Sequence, residues 1–387
     1  MFKRNVLAAS LTLAALCSAQ AAMADINGGG ATLPQPLYQT AGVLTAGFAP
    51  YIGVGSGNGK AAFLNNDYTK FVAGTTGKNV HWAGSDSKLT ALELKGYEDN
   101  HQTAWGKLIQ VPSVATSVAI PFNKAGSTAV DLSVNELCGV FSGRVSKWEQ
   151  IPTSGRTGTI TVVYRSESSG TTELFTRFLN AKCAETGTFG VTTSFASSYT
   201  GGLPAGAVAA TGSQGVMTAL NAADSRITYM SPDYAAPTLA GLDDATKVAR
   251  IAGVSPAPDN VSAAIGGVAI PALTDRGNPD KWVPVFGKAG AAGTVPYPDS
   301  GYPILGFTNL IFSQCYADAN QTSQVRDFFA RHYGQSTSPN NDEAIQANRF
   351  VPLPASWKGV VRNTFLTASN ALSIGNSNVC NNIGRPL

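Results

Sequence analysis

The sequence contains few charged residues and very few histidines. Of its 387 residues, 13% are charged and three are histidine, namely His81, His101 and His332. A two-metal hydrolase needs clustered His, Asp and Glu ligands, whereas these histidines are far apart and form no H-x-x-x-H pattern. No serine has the G-x-S-x-G surroundings of an α/β-hydrolase nucleophile. We therefore predict no metal site, no cofactor and no catalytic residue.

The N-terminal 24 residues have the composition of a secretory signal peptide. Lys3 and Arg4 form a basic start, an apolar run covers residues 6–19, and small residues at 22–24 form a cleavage site. The apolar run is shorter than a bilayer-spanning helix requires. We predict cleavage at Ala24-Asp25 and a mature chain that is periplasmic or secreted, with no membrane span.

A charge excess of either sign is also missing. The chain has 27 Lys and Arg against 24 Asp and Glu, a net charge of +3, which becomes +1 once the signal peptide is removed. Such a balance provides no basic surface for nucleic acid and no polybasic patch for a membrane.

The predicted mature chain retains four cysteines, with no C-x-x-C spacing. An even number in an exported chain indicates two disulfides, and the missing C-x-x-C pair argues against a zinc or redox site. Four cysteines allow three pairings. We predict the pairing of sequence neighbours, Cys138–Cys183 and Cys315–Cys380.

One stretch in the middle of the chain joins a predicted strand to a predicted helix. Residues 159–164 are rich in β-branched side chains, and apolar residues at 174, 175, 178 and 179 have helical spacing. Between them lie Arg165 and the sequence Ser-Glu-Ser-Ser-Gly-Thr-Thr. A helix N-terminus with its unpaired N–H groups, next to an arginine fork, suits a tetrahedral oxyanion. The same stretch is also typical of ordinary helix capping, with Ser169 as the N-cap.

Three other strand-to-helix junctions repeat this pattern of glycine and hydroxyl residues. The first contains Thr32 and Leu33 after a run of glycines, and the second contains Ser56 in a glycine-rich turn that lacks the residues of a Walker A motif. In the third, Asp86 follows a predicted strand, and it is either a helix N-cap or a carboxylate at an anion site. Each junction alone is equally typical of a plain connection.

The order of the predicted elements is that of an α/β protein, because strands alternate with helices along the chain. Two extended runs, residues 109–122 and 305–312, are candidates for crossings between two lobes. Ligands of open α/β sheets bind beyond the carboxyl ends of the strands, which is where all four junctions lie.

Together the four junctions resemble those of the phosphate-binding proteins of bacterial ABC transporters, which have the type II periplasmic binding fold. The predicted mature start, Asp25-Ile26-Asn27-Gly28, resembles the signature of the DING proteins, a branch of that family. The resemblance covers essentially the whole mature chain and implies a two-lobed α/β fold with hinge strands and an interlobe ligand cleft. We expect lobe 1 to comprise residues 25–114 and 306–387, and lobe 2 residues 115–305.

The resemblance also implies a binding site for inorganic phosphate. Hydroxyl and backbone N–H groups would donate hydrogen bonds, and Arg165 would supply positive charge. Asp86 would accept the proton of hydrogen phosphate, whereas sulfate has no such proton and would leave the carboxylate unpaired. Many transporter relatives have Asp two positions after the arginine, where this chain has Glu167. The implied set is Thr32, Leu33, Ser56, Asp86, Arg165, Ser169, Gly170 and Thr171.

The main prediction is a monomer that captures phosphate by hinge closure, for phosphate acquisition through a phosphate ABC transporter. Two alternatives stay open. Some DING relatives resemble low-molecular-weight alkaline phosphatases secreted under phosphate limitation, and Asp86 would then be the one base we can name. The other alternative is a secreted scavenger or adhesion protein without a transporter partner.

Overall fold

The computed structural model describes residues 26–386. The predicted signal peptide and its cleavage site at Ala24-Asp25 therefore lie outside the described residues. The described chain alternates strands and helices, which confirms the predicted α/β class. No helix within this part of the chain combines the length and apolarity needed to cross a membrane.

The strands and helices are numbered here in chain order. Within the described residues, the strands are β1 Gly28–Gly30, β2 Ile52–Gly53, β3 Trp82–Ser85, β4 Leu108–Ser117, β5 Ile120–Asn123, β6 Asp131–Leu132, β7 Thr161–Arg165, β8 Val208–Ala210, β9 Arg226–Thr228, β10 Val248–Ile251, β11 Phe286–Gly287, β12 Val295–Pro296, β13 Leu305–Ser313 and β14 Val351–Pro352. The helices are α1 Gln35–Gln39, α2 Ser56–Asn65, α3 Ala91–Asn100, α4 Gln102–Trp105, α5 Val134–Ser142, α6 Gly170–Lys182, α7 Gly212–Asn221, α8 Pro232–Ala235, α9 Pro258–Ile265, α10 Ala319–His332, α11 Asp342–Ala347 and α12 Ala355–Phe365. Short 3₁₀ helices lie at Tyr68–Lys70, Trp148–Gln150, Phe195–Ser197, Ala240–Leu242, Leu273–Asp275 and Pro279–Trp282.

Two six-stranded sheets divide the molecule into two lobes. The first sheet has the order β14-β4-β13-β3-β1-β2, and the second has the order β6-β10-β5-β9-β7-β8. β1 is parallel to β2 and β3, and β7 is parallel to β8 and β9, so the ends of these neighbouring strands point the same way. This arrangement is the two-lobed, type II periplasmic binding fold that the resemblance implies.

The two long strands β4 and β13 connect the lobes. They are antiparallel over their whole length, and every residue in both is buried. Beyond their paired ends, Val118 N–H donates to Ile304 O at 2.8 Å, and Ala119 pairs with Met230 of the second lobe. The chain therefore passes from lobe 1 to lobe 2 through β4 and returns through β13. We propose that the predicted boundaries at 114/115 and 305/306, which fall at these strands, mark the hinge.

Two disulfides each join two segments of the described chain. Cys138 of α5 is bonded to Cys183, which follows α6, and Cys315, which follows β13, is bonded to Cys380 near the C-terminus. These are the pairs of sequence neighbours, and each lies within one of the proposed lobes.

The last described residues of the chain pack against lobe 1. Arg385 is fully buried, and its guanidinium donates to Phe63 O at 2.7 Å, to Ser313 Oγ at 2.9 Å and to Val80 O. The same group lies over the rings of Phe63 and Trp105, 3.9 and 4.4 Å from their centroids. Arg385 therefore connects α2, the strand region around β3, and β13.

We expect Arg385→Ala to lower the free energy of unfolding by at least about 3 kcal/mol, because it leaves buried carbonyls unpaired and opens a cavity. Urea denaturation monitored by circular dichroism would measure the change. Lys70→Ala, at an exposed position of the same lobe, is the control and should shift stability by less than about 0.5 kcal/mol. An Arg385→Ala variant as stable as this control would contradict the assigned role.

Candidate functional site

The four junctions singled out in the sequence meet where the lobes face each other. Thr32 and Leu33 follow β1, Ser56 is the first residue of α2, and Asp86 directly follows β3. These belong to lobe 1. Across from them, β7 ends at Arg165, and α6 begins at Gly170 in lobe 2.

Asp86 forms the centre of the lobe 1 side. Its backbone N–H donates to Ser56 Oγ at 3.1 Å, which fixes the two residues against each other. The sequence left open whether Asp86 caps the next helix. The cap of α3 is instead Thr90, in a capping box with Glu93. The Asp86 carboxylate is thus free of a capping role and points toward lobe 2, where Thr171 Oγ1 donates to its Oδ2 at 3.3 Å.

The start of α6 forms the lobe 2 side. Ser169 is the N-cap, and its Oγ accepts the N–H of Thr172 at 3.2 Å, as the sequence predicts. A hydroxyl can accept one hydrogen bond and still donate its proton, so Ser169 can cap α6 and also donate a hydrogen bond to a ligand. The N–H groups of Gly170 and Thr171 belong to the first helical turn, which has no intrahelical acceptors for them.

The two sides are in direct contact. Gly57 N–H donates to Ser168 O at 3.3 Å between the lobes. A Cβ atom placed on Gly170 would lie 2.3 Å from Ser56 Oγ and 2.7 Å from Asp86 Cβ. Only glycine fits at this position with the cleft closed as it is in this structure.

Arg165 is buried at the end of β7 and is held by Glu167. Its Nε donates to Glu167 Oε1 at 2.8 Å, and its Nη2 also pairs with that oxygen. The same oxygen accepts the N–H of Gly212, at the start of α7, at 3.0 Å. Glu167 therefore orients the arginine, although it is one carbon longer than the Asp found at this position in many transporter relatives.

The Asp86 carboxyl is in an unusual electrostatic environment. It is 3% exposed, and its Oδ1 is buried without accepting a hydrogen bond from any described residue. Burial raises the pKa of Asp86 to about 7, while Thr308, Arg165 and Thr171 lie near enough to oppose that shift. A carboxyl with this pKa exchanges its proton near neutral pH.

Thr32 and Leu33 contribute differently. The Leu33 side chain is fully buried in the core, so only its backbone can serve a ligand. Thr32 Oγ1 lies 3.0 Å from Ser213 Oγ and accepts the Ser213 N–H at 3.2 Å. Ser213 is not among the residues that the sequence predicts for this site. It lies at a fifth strand-to-helix junction with glycine and hydroxyl residues, between β8 and α7, and that pattern could have indicated it.

The three histidines pack in separate places. His81 Nδ1 accepts the N–H of Asn27 at 3.0 Å, His332 Nε2 lies 2.7 Å from Ser113 Oγ, and His101 stacks on a tryptophan ring. Within residues 26–386, no three His, Cys, Asp or Glu side chains are grouped as metal ligands.

A model of the PBP superfamily domain matches residues 18–330 of the sequence. The chain belongs to the PBP superfamily. The match includes every strand of the two six-stranded sheets except β14, and every residue of the candidate site.

Several known proteins are similar to this chain over most or all of its length. Alkaline phosphatase L of Pseudomonas aeruginosa strain UCBPP-PA14 is 72% identical over 395 residues, covering 100% of both chains. A phosphate-binding protein from an unknown prokaryotic organism is 71% identical over 378 residues, covering 94% of this chain and 100% of that protein. The solved structure of PfluDING, a high affinity periplasmic phosphate-binding protein bound with phosphate at pH 8.5, is 77% identical. It covers 94% of this chain and 100% of its own, with a TM-score of 0.92.

The raised pKa of Asp86 predicts a specific dependence of stability on pH. An unfolded Asp releases its proton near pH 4, whereas the folded protein retains the Asp86 proton until about pH 7. Between pH 4 and pH 7 the native state therefore binds more protons than the unfolded state, and Asp86 makes the free energy of unfolding fall as pH rises. Above pH 7 this loss of stability remains constant. We expect the free energy of unfolding of Asp86→Asn to exceed that of wild type by a few kcal/mol at pH 8, and by little at pH 4.

Urea denaturation from pH 4 to 8, in buffers free of phosphate and sulfate, would measure this difference. Asp327→Asn, at an exposed position of α10, is the control and should give a curve parallel to wild type. If the Asp86→Asn curve is parallel as well, the ligand-free protein does not bury the carboxyl as this closed structure does.

Proposed function

We propose that this protein is an exported binding protein that captures inorganic phosphate between its two lobes, for phosphate acquisition. The observation that carries the proposal is the Asp86 carboxyl, buried against the N-terminal turn of α6 and close to Arg165. A helix N-terminus and an arginine attract an anion, whereas a carboxylate repels one unless a proton lies between them. Hydrogen phosphate carries the negative charge that the helix N-terminus and the arginine attract, and it carries the proton that the carboxylate needs.

The donors of the site come from both lobes. Arg165, oriented by Glu167, provides the charged fork, and the first turn of α6 provides the N–H groups of Gly170 and Thr171. Hydroxyl groups and the remaining backbone N–H groups complete the shell. The proposed ligand-binding set is Thr32, Leu33, Ser56, Asp86, Arg165, Ser169, Gly170 and Thr171. With one arginine and no lysine in the set, most of the anion's contacts are neutral donors.

Selectivity follows from the carboxyl. With hydrogen phosphate, Asp86 and the anion share one proton. Sulfate brings no proton, so it can bind only against a charged and repelled Asp86, or after Asp86 has taken up a proton from solvent, which costs free energy above the pKa of the carboxyl. The site therefore rejects sulfate by an unfavourable contact as well as preferring phosphate.

The remaining features of the proposal concern the whole molecule. The signal peptide would export the chain, and a monomer would close on phosphate by rotation about β4 and β13. The similarity to periplasmic phosphate-binding proteins supports delivery to a phosphate ABC transporter.

We expect wild type, stripped of phosphate, to bind phosphate tightly at pH 8 and to bind sulfate negligibly. Asp86→Asn replaces the repulsive carboxylate by a neutral amide, which can donate to either anion. Its ratio of phosphate to sulfate affinity should be about 10-fold smaller than that of wild type, because wild-type Asp86 at pH 8 must be protonated one pH unit above its pKa to accept sulfate. Isothermal titration calorimetry with each anion would measure the ratio.

Asp233→Asn is a matched control for this experiment. Asp233 is another buried carboxyl, and burial raises its pKa to about 7, but it lies in α8 and outside the proposed set. This variant should have the same ratio of phosphate to sulfate affinity as wild type. A folded wild-type protein that binds no phosphate would contradict the proposal and leave the four junctions as plain connections between strands and helices.

A second candidate is a phosphatase. Two observations favour it: a relative named alkaline phosphatase L is 72% identical, and a carboxyl with a pKa near 7 is suited to general base catalysis. The close approach of Gly170 to Ser56 argues against it, because the two lobes are in contact there and a bulky ester would have to hold them apart.

We expect no hydrolysis of p-nitrophenyl phosphate that depends on Asp86. The assay would compare wild type with Asp86→Asn, both purified from a host without endogenous alkaline phosphatase. Equal background rates are the expected result. A wild-type rate that falls in Asp86→Asn would instead favour the phosphatase.

A further inference from the structure

Ser213 is the one side chain from α7 that contacts the proposed phosphate set. It lies in the first turn of α7 and is 2% exposed. Its hydroxyl is 3.0 Å from Thr32 Oγ1, and its N–H donates to the same oxygen at 3.2 Å. Thr32 belongs to lobe 1 and Ser213 to lobe 2, and the two residues are 181 positions apart in the sequence.

We propose that Ser213 is a positioning residue that sets Thr32 as a hydrogen-bond donor to the bound anion and slows its release. This inference rests on the proposed phosphate-binding function, and it adds to the predicted set a residue that acts through Thr32.

The chemistry of the threonine hydroxyl supports this role. The group has one proton and two acceptor lone pairs. The Ser213 N–H occupies one lone pair, and the Ser213 hydroxyl can donate to the other. When both lone pairs of Thr32 Oγ1 accept hydrogen bonds from Ser213, the Thr32 proton cannot be donated to Ser213. It is then available to the bound anion. Ser213 thereby determines which way the Thr32 hydroxyl points.

The geometry of α7 explains why its N-terminus serves Thr32. The first N–H of the helix, from Gly212, donates to Glu167 Oε1, the oxygen that also holds Arg165. This carboxylate satisfies the positive end of the α7 dipole. The next N–H, from Ser213, is directed at Thr32. One helix start therefore supports both the arginine and the threonine of the proposed site.

The contact exists only when the lobes are together. Opening the hinge separates Thr32 from Ser213, just as it separates Gly57 from Ser168. An interaction formed in the closed state alone stabilises the bound complex without helping the first encounter. Its loss should raise the dissociation rate constant and leave the association rate constant unchanged.

We expect Ser213→Ala to release phosphate about fivefold faster than wild type, the effect of losing one neutral hydrogen bond. Radiolabelled phosphate, bound to the stripped mature protein and chased with excess unlabelled phosphate, would give the dissociation rate. Association would be measured by rapid mixing and filtration. Gln214→Ala, at the adjacent exposed position of α7, is the matched control and should leave both rates as in wild type.

A double-mutant cycle with Thr32→Val tests whether Ser213 acts through Thr32. In the Thr32→Val background, Ser213→Ala should change the dissociation rate less than twofold. An unchanged release rate in Ser213→Ala, an effect confined to association, or a full fivefold effect in the Thr32→Val background would each overturn the inference. Wild type that binds no phosphate would overturn the proposed function itself, which distinguishes the two failures.

Discussion

The site depends on one constraint, which is that a buried carboxyl and a buried anion cannot both be fully charged at contact distance. Asp86 is enclosed by Ser56, Gly170 and Thr171, and the cost of desolvating its charge raises its pKa into the neutral range. The arginine and the helix start attract an anion, and the carboxyl demands a proton. These opposing requirements define the ligand more narrowly than attraction alone would.

The closed packing of the lobes makes this constraint effective. If water could reach Asp86, its charge would be solvated and the distinction between anions would weaken. The approach of Gly170 to Ser56, and the hydrogen bond from Gly57 to Ser168, exclude water from the cleft side of the carboxyl. The proposed selectivity therefore also depends on Gly170, a residue without a side chain at the start of α6.

The sequence predicted those parts of the fold and the candidate site that depend on local pattern. Ser169 as the cap of α6 and the strand before Arg165 follow from a capping residue and a β-branched run. Ser56 was expected in a glycine-rich turn, whereas α2 begins at Ser56 and contains two of those glycines. The alternation of strands and helices gave the α/β class in the same way.

Contacts between distant segments could not be predicted from those patterns. Thr32 and Ser213 are 181 positions apart, and nothing in either segment specifies the other. The orienting role of Glu167 depends on the position of α7, which is set by packing of the second sheet. The positions of the proposed hinge stay a prediction, because an extended apolar run has the same pattern on both sides of a crossing.

The burial of Arg385 has a consequence for the order in which the chain can fold. Its guanidinium holds Phe63 and Val80, more than 300 positions earlier, so the interior of lobe 1 is complete only once residue 385 is in place. The proposed lobe 2 is one continuous segment and can form before residue 385 is available. Half of the proposed anion site comes from lobe 1, so its two sides cannot close on a ligand until Arg385 has packed. The position of one arginine therefore couples ligand capture to the completion of lobe 1.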